Sequence, residues 1–256
     1  MKYGVCCPAG QAAWAREAGC DYVELNFTAV AEADAAAFAA IERDLALGGL
    51  RAEAMNCFLP GRFALMALTD TQELQAFLRI GFTRAQALGT QVVVFGSAGA
   101  RKLPEGVTKE QGIARLAPLL RLAGDIAASC GVRIAIEPLC YKECNAVNTL
   151  REGLALASVT GHSAVALLAD MFHMGENGEK YEDILLAGER LIHCHIGRPG
   201  GRVYPLPGDG YDYAPFFAAL AKNAYQGRLS VEAQAPNGPE DLATSITFLR
   251  SLTQNI

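Results

Sequence analysis

The sequence predicts a (β/α)8 barrel, formed as a single domain over residues 1–256. Three observations predict it. Short apolar runs alternate with helical stretches along the whole chain, eight of each. The last four runs each end on an acid or a histidine. No linker or shift in composition separates one half from the other. A doubly wound dinucleotide-binding sheet would carry G-x-G-x-x-G after an early strand, and neither Cys7 nor Asn26 is followed by one.

The elements follow in order. Tyr3 to Cys7 reads as a strand closed by Pro8-Ala9-Gly10, and Gln11 to Ala18 as an alanine-rich helix. Tyr22 to Leu25 is a second strand ending at Asn26, with a helix from Ala35 to Leu47 stopped by Gly48-Gly49. Ala52 to Phe58 is the third strand. Asp70 then caps a helix over Thr71 to Leu88, closed by Gly89. Val92 to Phe95 opens into a long loop, Gly96 to Thr108, before a helix over Lys109 to Cys130. Val132 to Glu137 is the fifth strand, stopped by Pro138, which forces extended geometry before it and cannot extend a ladder. Its helix is Leu150 to Val159. Ala164 to Asp170 is the sixth strand, with a helix near Tyr181 to Gly188. Leu191 to Ile196 is the seventh, followed by a glycine- and proline-rich loop and a helix around Tyr213 to Asn223. Leu229 to Glu232 and Glu240 to Leu252 complete the pattern.

Bulk properties exclude several function classes. A 51% hydrophobic composition supports a folded core. The net charge of -5, with no basic run, lacks the footprint of a nucleic-acid binder. No apolar run reaches membrane-spanning length, and the N-terminal stretch does not read as a signal peptide. The eight cysteines include no C-x-x-C pair, so reduced thiols in a cytoplasmic protein are expected. Cys6, Cys57 and Cys194 fall in strand-like runs as small hydrophobes, while Cys140 and Cys144 lie near the candidate site as thiols with the potential to react.

That site is built from strand ends. The carboxy-terminal ends of barrel strands converge on one mouth. Strands five to eight end in Glu137, Asp170, His195 and Glu232, with gaps of 33, 25 and 37 residues, about one βα unit each. Three carboxylates and an imidazole facing one point repel each other without a cation, so they read as ligands for one divalent metal. Oxygen-rich ligation suits Mn or Mg, and the imidazole admits Co, Zn or Fe. Asp170 alone also fits an N-cap for the next helix, and His193 competes with His195 for the ligand role. Glu232, closing an otherwise apolar strand, would be costly without a partner.

Glu137-Pro-Leu with Glu143, Asn148-Thr149, Asp170-x-x-His173, His193-x-His195-x-Gly197 and Val231-Glu232 together resemble the xylose isomerase-like TIM barrels, the sugar isomerase/epimerase group. The match is nearest the ketose 3-epimerases of D-tagatose or D-psicose type, with hydroxypyruvate isomerase-like proteins next, and it is concentrated between Arg133 and Gln234. The resemblance implies metal ligation by Glu137, Asp170, His195 and Glu232, with Mn2+ ahead of Mg2+, Co2+ or Zn2+. It implies Glu137 and Glu232 as an acid/base pair that epimerises through an enediolate, and Glu143, His173 and Arg202 as substrate-binding residues. It further implies a sugar or small hydroxy-carbonyl substrate and assembly as a homodimer or homotetramer. Aldose–ketose isomerisation of the hydroxypyruvate isomerase-like kind, keto-inositol dehydration and a non-catalytic sugar-binding barrel are the alternatives. The chain departs from the epimerase pattern after His195, with Arg198 where a glutamate is expected and Arg202 one place late.

Overall fold

The computed structural model describes residues 1–253. Eight strands, β1 (Lys2–Cys6), β2 (Tyr22–Asn26), β3 (Ala52–Asn56), β4 (Val92–Phe95), β5 (Arg133–Ile136), β6 (Val165–Asp170), β7 (Leu191–Ile196) and β8 (Arg228–Val231), pair in parallel and in sequence order. The barrel closes where Lys2 to Val5 of β1 pair with Arg228 to Val231 of β8. Among the described residues ten α-helices connect or follow them: α1 (Ala12–Glu17), α2 (Phe27–Glu32), α3 (Ala35–Gly48), α4 (Gln72–Leu88), α5 (Ala98–Arg101), α6 (Lys109–Ser129), α7 (Leu150–Thr160), α8 (Met171–Asn177), α9 (Ala214–Lys222) and α10 (Asp241–Thr253). None of the helices among the described residues is long and apolar enough to cross a membrane.

The strands read as near-continuous apolar runs because both faces are covered. Val93, Phe95, Ile134 and Ile136 face outward into the main core shared with the helices. Their neighbours Val92, Val94 and Ala135 join Leu168 in a separate cluster inside the barrel. The amino-terminal end is closed by polar contacts: Lys2 Nζ lies 2.6 Å from Glu53 Oε1, and Arg228 Nε lies 2.7 Å from Glu53 Oε2. Arg228 also donates to Gln91 Oε1 at 2.7 Å. This end stabilises the barrel and leaves the opposite mouth to the chemistry.

Helix ends follow local rules. Gly89 adopts the left-handed φ of 82° that stops α4. Thr108 starts α6 with a capping box: its hydroxyl accepts from Gln111 N, and Gln111 Oε1 accepts from Thr108 N at 2.9 Å. Thr108→Ala is expected to lower unfolding stability by about 1 kcal/mol, read as a shifted midpoint in urea at unchanged slope.

The structure departs from the sequence expectations in four places. Thr71 holds the N-cap position of α4 without a side-chain capping bond, and the Asp70 carboxylate, one residue earlier, accepts from Gln72 N at 2.9 Å. Strand β3 ends at Asn56 rather than Phe58, because Cys57 turns to a φ of 50° and lies exposed at the mouth instead of in a strand. Short helices α2, α5 and α8 occupy segments without helical periodicity, too short for a pattern to show. The expected helix near Tyr181 is a 3-10 segment over Tyr181–Leu186.

Candidate active site

At the carboxy-terminal mouth the ends of β5 to β8 come together. Glu137 leaves β5, Asp170 ends β6, His195 sits one residue from the end of β7, and Glu232 leaves β8. Asp170 and His195 are register partners, which sets them at one height. One donor atom from each of the four residues lies within 4.8 Å of the others. His195 Nδ1 is 3.0 Å from Glu137 Oε1 and 3.2 Å from Glu232 Oε2, so the two glutamates converge on one ring nitrogen.

Both readings of Asp170 hold at once. Its Oδ1 accepts from Phe172 N at 2.7 Å and starts α8, while its Oδ2 is buried without a hydrogen-bond partner. Burial, with Glu137 and Glu232 nearby, raises its pKa above the ordinary carboxylate value. Glu232 goes the other way. Burial pushes its pKa up, but His195 and Arg202 outweigh that and hold it at about 2. Burial disfavours a charged His195, yet the carboxylates of Glu24 and Glu232 raise its pKa well above the ordinary value. The positive charge here is too little for three carboxylates. An orphaned buried oxygen among converging oxygen donors and one imidazole fits a divalent cation.

The cavity over this cluster measures about 360 Å³ and is lined by Glu137 and Glu232 together with Glu143, His173 and Arg202. The structure therefore brings all the sequence-predicted site residues into one mouth. Arg202, one place late in sequence, is brought back by left-handed backbone at Gly200 (φ 80°) and Arg202 itself (φ 48°). Its guanidinium donates to Glu232 Oε2, reaches Glu143 Oε1 at 3.3 Å and stacks 4.9 Å from the Phe172 ring. Arg198 braces the same loop by donating to Asp209 O at 3.3 Å.

His173 is buried, and its Nδ1 accepts from Cys140 N at 3.1 Å. That bond assigns the neutral ring its proton at Nε2, which has no partner and lies 3.6 Å from Asp170 Oδ2. His173 thus offers the cavity an N–H donor. With its other nitrogen already accepting, it cannot serve the nearby Cys140–Glu143–His173 cluster as a metal ligand. Cys140 and Cys144 are buried, and burial raises the Cys140 pKa, which keeps it a thiol and works against the reactivity its position suggested.

Three contributors escaped the sequence reading. Glu24 on β2, its carboxylate fully buried, accepts from His195 Nε2 at 2.9 Å and from His193 Nε2 at 2.8 Å. His193 is thereby turned away from the carboxylate cluster. Asn56 donates to Glu232 Oε1 at 2.8 Å. Arg101, fully buried in α5, donates to the carbonyls of Phe95 and Glu137 at 2.9 and 2.6 Å and so ties the ends of β4 and β5 together where Glu137 leaves the sheet. A glutamate inside the apolar run YVELN was a signal available for Glu24, since an unpartnered acid there would be costly. Arg101 carried no comparable mark.

Comparisons with known proteins bear on the fold and the family. The family model of the xylose isomerase-like TIM barrels matches residues 12–252. The L-ribulose 3-epimerase of Methylomonas sp. (strain DH-1) is 37% identical over 134 residues, which cover 52% of this chain and 46% of the relative. The L-ribulose 3-epimerase of Mesorhizobium japonicum is 29% identical over 222 residues, covering 85% of this chain and 72% of that protein. The match to the Methylomonas relative thus spans less than half of that protein's length. A crystal structure of D-psicose 3-epimerase in the presence of D-fructose superposes with a TM-score of 0.84 over 99% of both chains at 20% identity, a likeness of fold. The chain belongs to the xylose isomerase-like TIM barrel family.

Proposed function

We infer that the chain is a divalent-metal-dependent sugar epimerase that moves a proton on a carbon beside a carbonyl, with ketoses as substrates and C3 as the reacting carbon. One observation carries this reading: Glu137 and Glu232 flank His195 Nδ1 at 3.0 and 3.2 Å within a cluster of three carboxylates. The relatives named as L-ribulose 3-epimerases support the substrate class.

Glu137, Asp170, His195 and Glu232 would hold the metal, Mn2+ first, with Mg2+, Co2+ or Zn2+ as substitutes. When bound, the cation supplies Lewis-acid polarisation of the substrate carbonyl. The remaining work belongs to the chain. Glu232, ionised with its pKa held at about 2, accepts the proton from one face of C3. Glu137, which meets the same imidazole nitrogen and carries a proton taken from solvent, gives that proton to the opposite face, which inverts that centre. His173 Nε2–H and the Arg202 guanidinium donate to substrate oxygens, and Glu143 holds Arg202 over the cavity. Leu59 and Leu139 add apolar side chains to the same lining.

The test is solvent deuterium incorporation into L-ribulose, D-psicose and D-fructose, with Mn2+ added and again after chelation. The expected result is deuterium at C3 that appears with the metal and stops with the chelator. A protein that binds Mn2+ yet exchanges none of these ketoses would overturn the epimerase reading and favour a sugar-binding barrel.

A further inference from the structure

We propose that Glu24 is the positioning residue of this site: it fixes the tautomer of His195 and thereby sets the site's affinity for its metal. The proposal rests on the metal reading above. Glu24 lies on β2, three strands from β7 around the closed barrel by way of β1 and β8, and is 1% exposed. Its two oxygens meet three groups. Oε1 faces His195 Nε2 at 2.9 Å, and Oε2 faces His193 Nε2 at 2.8 Å and takes the Ser230 hydroxyl at 2.5 Å. Ser230 spends its proton on Glu24 and so accepts from the Tyr22 hydroxyl at 2.7 Å. Tyr22 has room inside the barrel because position 4 is glycine, where a methyl would lie 2.5 Å from the tyrosine ring.

This layer leaves one consistent assignment. An ionised carboxylate accepts and cannot donate, so both imidazoles must present Nε2–H to it. His195 is then left with Nδ1 facing Glu137 and Glu232, the one ring nitrogen able to ligate a cation there. A carboxylate behind a ligating imidazole also makes that ligand more basic, and removing such a partner typically weakens metal affinity 10–100-fold. His193 is not a spare ligand. With Ser230 it holds Glu24 in place from the neighbouring strands, and its own Nδ1 is buried without a partner.

Glu24→Gln keeps the shape but replaces one acceptor oxygen by a donor. Either His195 must turn its proton toward the carboxylate cluster, or it keeps Nε2–H and loses the charge behind it. Titration calorimetry of chelator-treated protein with Mn2+ is expected to show affinity reduced about 10–100-fold in Glu24→Gln. Glu24→Asp, which restores the charge, should recover part of that loss. Ser230→Ala, which removes the third donor to Glu24 and the acceptor of the Tyr22 hydroxyl but leaves the Glu24 charge behind His195, should stay within about threefold of the wild type. Equal affinity in Glu24→Gln and wild type would overturn the proposal, as would Glu24→Asp binding no better than Glu24→Gln. Two-bond ¹H–¹⁵N spectra of the Mg2+-loaded wild type give a check independent of any variant, made tractable by only 4 histidines. Nε2–H at both His193 and His195 is expected, and Nδ1–H at His195 would overturn the assignment. A wild type that binds no divalent cation would instead remove the metal reading itself.

Discussion

Glu232→Gln is expected to reduce ketose C3 exchange by about 10²–10⁴-fold while leaving a folded barrel. The direction follows from charge. His195 and Arg202 hold the Glu232 carboxyl below the ordinary carboxylate pKa, so it is ionised and has a lone pair to accept the C3 proton, which an amide cannot do. The fold survives because the amide keeps an oxygen for the Asn56 donor at 2.8 Å and because Glu232 lies beyond the last residue of β8. Circular dichroism and gel filtration would confirm the fold, and stopped deuterium incorporation would confirm the role. Glu137→Gln should be comparably damaging, since in the proposed mechanism one glutamate takes the proton and the other returns it. Exchange at the wild-type rate in Glu232→Gln would remove that residue from the acid/base pair.

Gly96→Ala is expected to cost about 10²-fold in activity with little change in stability. Gly96 follows β4, and a methyl on it would collide with Glu137 Oε2 while lying 3.5 Å from the carboxyl carbon. The colliding atom is the end of a flexible side chain, so the clash is relieved by swinging the carboxylate aside rather than by opening the barrel. Glu137 would then leave its 3.0 Å contact with His195 Nδ1. A displacement of about 1 Å at a reacting group is enough to cost on the order of 10²-fold. Measuring kcat, KM and the urea midpoint together separates the two effects. An unchanged kcat would show that the position of Glu137 is not limiting, and a large fall in midpoint would show that the backbone, rather than the carboxylate, had yielded.

These two residues differ in how they could be found. Glu232 was legible because an acid closing an apolar run is conspicuous. Gly96 was one glycine among 26, and only the approach of Glu137 gives it meaning. The same division runs through the site. Glu137, Asp170 and His195 stand at strand ends spaced by one βα unit, so a period-based reading finds them without coordinates. Glu24 belongs to β2, and its partners His193 and Ser230 lie 169 and 206 residues away in sequence. No local pattern joins such positions.

The sequence by itself determined the barrel, the order of its strands and which strand ends carry acids and an imidazole. Those follow from apolar periodicity, glycine and proline punctuation and chain order, all local properties. Only the tertiary structure decided which nitrogen of His195 faces the carboxylates, that His193 turns inward to Glu24, and that Asp170 divides its two oxygens between a helix cap and the site. It also decided that Arg202, though late in sequence, reaches Glu232 through a left-handed turn. The physical reason is closure. Joining β8 to β1 brings β2 and β7 within three strands of each other, so charges distant in the chain meet in a space from which water is excluded, and each must find its partner there.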